Sequence, residues 1–144
     1  MGKGFLSILT AITIVITSSS ILVGCASSSQ QSITSSVSKT RDKSLEEMVA
    51  DLSPLGLTAV HVTKINTNSL PGPVQAMAGV SFKGESGSRL KLLQFSTQSQ
   101  TQDAWNYYAG LNQLVHSDDR LLLVSNRSMG REWFEKYQDG IFKQ

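Results

Sequence analysis

Apolar and polar residues divide this chain into three zones before any local pattern is considered. A mainly apolar run from Phe5 to Ile16, resumed at Ile21–Val23, is followed by a polar stretch from Ala26 to Asp42, and only then do periodic patterns begin. Ser44-Leu45-Glu46-Glu47 reads as a capping box, with Ser at the cap and Glu three residues on. Leu45, Met48, Val49 and Leu52 then share one helical face, and Pro54 with Gly56 closes the helix. Leu57–Ile65 is rich in β-branched residues and free of breakers, which predicts a first strand; Asn66–Pro73 supplies turn chemistry for a loop. Over Val74–Lys83, Val74, Ala76, Ala78, Val80 and Phe82 alternate with Gln75, Met77, Gly79, Ser81 and Lys83, predicting a strand with one dry and one wet face. Gly84–Ser88 forms a longer hairpin loop into a third strand, Arg89–Ser96. There Leu92-Leu93 breaks the alternation, indicating a bulge or burial on both faces.

Beyond Ser96 the period changes. Thr97–Gln102 offers overlapping helix starts, Ser99 with Gln102 among them, and Trp105, Tyr108, Leu111, Leu114 and Val115 recur at helical spacing. His116-Ser117-Asp118-Asp119 reads as a turn, Leu121–Val124 as a short continuous apolar strand, and Asn126–Met129 as another turn. Arg131–Phe142 closes the chain as a helix with Phe134, Tyr137 and Ile141 on one stripe and Glu132 and Lys136 paired at i,i+4. The predicted order is α-β-β-β-α-β-α. It fits an α+β fold: a small, mainly antiparallel four-stranded sheet with helices packed on one face.

The first zone changes what the rest can be. Residues 1–24 have the layout of an export signal: Lys3 ahead of an apolar body, then small residues before Cys25. Phe5–Val23 is also about long enough to cross a bilayer, but Thr17–Ser20 interrupts it, and the next basic residue after Cys25 is Lys39. Leu22-Val23-Gly24-Cys25 resembles the lipobox of bacterial lipoproteins: an aliphatic residue, a small or aliphatic one, Gly or Ala, then Cys. The resemblance covers residues 3–25 alone. It implies cleavage between Gly24 and Cys25, lipid (palmitate or a related acyl group) on the Cys25 sulfur, and residence on the extracytoplasmic face of the cell membrane. Ala26 in place of Asp leaves out the inner-membrane retention signal of enteric lipoproteins, which implies an outer membrane where the envelope has one. Each buried methylene contributes about 0.8 kcal/mol and one acyl chain holds only marginally, so two or three chains make attachment lasting.

Ala26–Thr40 contains seven Ser, two Thr and two Gln in fifteen residues, with Ile33 and Val37 isolated. Such a composition cannot bury enough apolar area to offset its ordering entropy. Residues 25–42 therefore read as a lipidated cysteine on a flexible tether with a span on the order of 20–25 Å. Residues 43–144 are the single globular domain, expected to have a radius of gyration near ~13 Å.

Charge and chemistry narrow the function classes. The formal charge of +2 is too balanced to select nucleic acid as a partner. With one cysteine there is no internal disulfide, and with His61 and His116 as the sole histidines there is no zinc spacing. His116-Ser117-Asp118 holds hydrolase residue types, but a triad is a spatial arrangement that adjacent residues do not form. Asp118-Asp119 lacks the alternating acids of a calcium loop, and no phosphate loop or dinucleotide fingerprint occurs, so neither metal nor cofactor is expected. Asn126-Arg127-Ser128 is a formal sequon of little weight beside a bacterial lipid signal.

Two surface features remain. Lys83, Arg89 and Lys91 fall near one end of the central hairpin as a weak cationic patch. Tyr107 and Trp133 stand at the margins of two helical stripes whose other aromatics, Trp105, Tyr108, Phe134 and Tyr137, match core spacing. The expectation is a secreted, membrane-anchored binding module without enzymatic activity, recognising an envelope or extracellular protein or a small ligand. An enzyme acting on envelope polymer is the alternative, and it would need His61 and His116 to meet beside a carboxylate.

Overall fold

The structure, a computed structural model, describes residues 43–143. The signal segment, Gly24, Cys25 and the polar tether lie outside the described residues. Helix α1 (Leu45–Ala50) starts in the capping box the sequence predicts: Glu47 N–H donates to Ser44 Oγ at 3.2 Å, and Ser44 N–H donates to the Glu47 carboxylate at 2.8 Å. Leu45, Met48, Val49 and Leu52 are buried along one face. A 3-10 turn, Ser53–Leu55, then carries the chain to Gly56, whose φ of 76° suits a residue without a side chain.

Among the described residues, five strands form one antiparallel sheet in the order β1-β2-β3-β5-β4. They are β1 (Val60–Lys64), β2 (Ala78–Lys83), β3 (Arg89–Gln94), β4 (Leu114–Asp118) and β5 (Leu121–Ser125). The α+β class holds, but the sequence reading is one strand short, and the order becomes α-β-β-β-α-β-β-α. The missing strand is β4, where helical spacing misled. Helix α2 (Gln98–Gly110) stops before Leu114 and Val115: Asn112 adopts a left-handed φ of 61°, and the N–H groups of Asn112 and Gln113 bond back to the carbonyls of Ala109 and Tyr108. This pair of bonds is a Schellman stop built on Asn in place of Gly. His116, Ser117 and Asp118, expected in a turn, are strand residues, and Asp119-Arg120 alone turns the chain, Asp119 having a φ of 49°. Among the overlapping starts, α2 uses Thr97, whose Oγ1 accepts from Gln100 N–H at 3.3 Å.

The strands at the front of the sheet are shorter than expected. Of Leu57–Ile65, the strand takes Val60–Lys64, with Ile65 N–H adding one bond to the Gly79 carbonyl, while Leu57 turns into the core and the Thr58 carbonyl accepts a hydrogen bond from Tyr137. Of Val74–Lys83, the ladder takes Ala78–Lys83, while Val74 N–H closes a turn onto Pro71 and its side chain is buried away from Val80 and Phe82.

Helices cover both faces, which corrects the one-sided arrangement. One core joins α1 and helix α3 (Arg131–Phe142) to Val80, Phe82, Leu90, Leu92 and Leu123. A second joins Ala104 and Tyr108 of α2, with Val74 and Phe95, to Leu93, Leu122 and Val124. Cross-strand pairing explains the division: Leu92 stands opposite Leu123, and Leu93 opposite Leu122. Successive side chains on a strand point to opposite faces, so two adjacent leucines on each central strand feed both cores. Of the two readings of Leu92-Leu93, burial on both faces is the one realised, with β3 in regular register.

Candidate functional site

The sites expected from sequence do not assemble into one cleft. His61 lies on β1 and His116 on β4, the two outer strands, and four inter-strand spacings of about 4.8 Å put them roughly 19 Å apart. His61 is exposed. His116 is half-buried, with its ring edge-on to Phe142 at 4.9 Å between centroids. Asp118 and Asp119 flank the β4–β5 hairpin, and Arg120 Nε reaches Asp119 at 3.7 Å. Among the described residues no group of three or more His, Cys, Asp or Glu side chains is placed to hold a metal ion, and no helix is long and apolar enough to cross a membrane.

The cationic trio is in register on one hairpin. Lys83 pairs with Arg89, and Lys91 stands opposite Ser81. Lys83 and Arg89 are exposed, but Lys91 is half-buried with its Nζ 5.4 Å from the centre of the Tyr108 ring. The three cations thus share the sheet face that carries α2, and Lys91 is drawn onto that helix.

The two marginal aromatics are separated by the sheet. Tyr107, half-exposed on α2, meets Tyr108 edge-on at 5.3 Å and lines an open groove of about 470 Å³ with Pro73, Gln75, Gln100, Asp103 and Asn106. Trp133, on α3, packs against the other core, and Lys136 Nζ sits 4.1 Å over its ring. Tyr108, Phe134 and Tyr137 are buried as expected. Trp105 is not: it is 36% exposed, because the buried stripe of α2 is Thr101, Ala104 and Tyr108.

A second groove, of about 360 Å³, was not visible in the sequence because it depends on β4. Its floor is Leu114, Val115 and His116 at the outer edge of the sheet. Trp105 and Ala109 of α2 form one wall; Arg131, Phe134, Glu135 and Gln138 of α3 form the other. Arg127 closes the end nearest Leu114, its Nε donating to the Asn112 carbonyl at 2.9 Å. The two edges of the sheet differ in kind. On β1, register shifts between Val60 and Thr63, and His61 takes a φ of 53°, so the strand is bulged; β4 is in regular register with β5 throughout. Bulges are a common way to blunt an edge against further pairing.

Burial holds the His116 imidazole below the usual histidine range, with Lys143 acting the same way and Asp118 and Asp139 opposing. A histidine that takes up a proton less readily when folded contributes stability above its unfolded pKa, and that contribution is lost as pH falls through the folded value. Between pH 7.5 and 5, wild-type protein is therefore expected to lose more stability than His116→Gln, as read from urea midpoints at each pH. Equal losses would show that the imidazole is not desolvated.

Comparison of the chain with protein-family models, curated proteins and solved structures gave no significant match.

Proposed function

We propose that this chain is a bacterial lipoprotein: an extracytoplasmic domain held at the membrane by lipid on Cys25, acting as a non-catalytic binding module for an envelope or extracellular protein. The observation that carries the reading is the Leu22–Cys25 motif, set between an apolar leader and a Ser-rich tether that separates the lipid from the capping box at Ser44. Anchoring needs nothing from the domain, because the acyl chains supply it. The domain is left to present its surfaces at the end of the tether.

The placement of the titratable residues supports a binding role over the envelope-polymer enzyme, which required His61 and His116 in one cleft. A small polar ligand is the second form of the binding reading, and the amide-lined groove beside Tyr107 favours it: Gln100 Oε1 is buried there without a hydrogen-bond partner. Unpaired buried acceptors are costly and are usually met by water or ligand.

Detergent-phase partitioning of cell extracts tests the anchor. Wild-type protein is expected in the detergent phase and Cys25→Ala in the aqueous phase, with mass spectrometry finding acyl groups on the mature amino-terminal cysteine. Equal partitioning of both proteins would mean that the apolar leader itself is the anchor. Capture of cross-linked partners from intact envelopes, with Cys25→Ala as the control, then separates binding from membrane residence.

A further inference from the structure

We infer that the outer edge of β4 is a strand-addition site, taking an extended segment of a partner protein that carries an acidic side chain at the Arg127–Arg131 end of the groove. The inference rests on the binding-module reading and names the partner's chemistry. Three observations carry it.

First, among the described residues β4 hydrogen-bonds along one side only. With Asp119-Arg120 as a two-residue turn, the exchanged pairs are Asp118 with Leu121, His116 with Leu123, and Leu114 with Ser125. The backbone N–H and C=O groups of Val115 and Ser117 therefore point away from the sheet. An added strand of about four residues, rising ~3.3 Å each, covers this stretch. Second, the two edges are treated differently. β1 is bulged at His61 and ends in Lys64, whereas β4 has no bulge, proline or lysine. Third, charge gives the site a direction. Arg127 and Arg131 stand at the Leu114 end, where the amino terminus of the twelve-residue α3 adds its positive dipole end. Among the described residues lining the groove, Glu135 on the wall is the single opposing charge, and it leaves the end net positive.

Shape and sequence choose the occupant. Helices stand on both sides of the edge, so the groove admits one strand; a second copy would bring its own two walls against these. The chain's own tether is mismatched, since its sole acid, Asp42, stands beside Arg41 and directly ahead of the capping box, and Lys39 adds a second base.

The test is selection of a random peptide-display library on the full-length lipidated protein in detergent micelles. Enriched sequences are expected to share a β-prone core with an acidic residue at one fixed position. The labelled consensus peptide is expected to bind at least tenfold more weakly to Ser117→Pro, which removes an outward donor and no bond of the sheet, and to Arg131→Glu. Lys64→Glu, at the opposite edge, should bind as wild type. Amide exchange followed by NMR should show Val115 and Ser117 gaining protection when the peptide is bound. If Ser117→Pro does not fold, Arg131→Glu and the exchange pattern decide. Absence of an enriched consensus, or protection falling on β1, would overturn the inference. So would self-association of the protein that Arg131→Glu abolishes, since a second copy would then own the edge. None of these outcomes touches the partitioning of Cys25→Ala, so the anchor and the edge fail separately.

Discussion

Tyr137→Phe is expected to destabilise the domain by about 2–4 kcal/mol, although it removes a single oxygen atom. That oxygen donates to the Thr58 carbonyl at 2.6 Å and accepts from the Glu85 N–H at 2.9 Å, while the ring itself is fully buried against Phe82. The last helix is thereby joined to the chain entering β1 and to the β2–β3 loop, at separations of 79 and 52 residues. Phenylalanine fills the ring's place but leaves a donor and an acceptor without partners against a fully buried side chain, and that desolvation cost sets the magnitude. Burial also pushes the phenol pKa up, which keeps the group protonated as a donor. Gly84 belongs to the same arrangement: a Cβ there would lie 2.8 Å from the Tyr137 oxygen and 2.6 Å from a Leu90 methyl. Urea denaturation at neutral pH reads the effect as a lower midpoint at unchanged slope. A loss under roughly 0.5 kcal/mol, the scatter of ordinary surface substitutions, would mean that the two bonds are not formed in solution.

The second large effect is a matched pair. Leu92→Ala and Leu93→Ala are each expected to cost about 2–5 kcal/mol, and to cost similar amounts. Both side chains are fully buried, one in the core under α1 and α3 and the other under α2. With helices on one face only, one of the two would meet solvent and its truncation would cost little. Chemical denaturation of both variants separates the arrangements. A Leu93→Ala protein within about 0.5 kcal/mol of wild type would argue that α2 does not seat on the sheet.

These two positions also mark how far the sequence can be read. Local chemistry survived folding well. The capping box at Ser44, the Phe134–Tyr137–Ile141 stripe and the β2–β3 hairpin appear where their patterns put them, because each depends on residues within one turn or one loop. What failed depended on partners far away in the chain. The apolar runs Leu92-Leu93 and Leu121–Val124 admit burial on both faces, but a bulge at the first pair reads equally well, and nothing local says which helix takes which face. β4 was lost to a coincidence of spacing: Trp105, Tyr108, Leu111, Leu114 and Val115 satisfy a helical period, although Asn112 ends the helix between them. The signal that could have found it was Gly110 and Asn112, both common near helix ends, followed by a β-prone Leu114–Ser117. With β4 missing, the groove beside it had no floor, so Arg127, Arg131 and Trp105 could not be seen as neighbours. Tyr107 and Trp133 are both half-buried, and their sequence positions do not show that the sheet stands between them.

The strand order has a consequence for how the protein is made. Since β5 fits between β3 and β4, the three-stranded meander that emerges first waits with one flank of β3 open, exposing backbone donors and leucines until the later hairpin arrives. For that interval the nascent molecule is a sticky half-sheet, and whatever attends its folding must shield that flank rather than the finished surface.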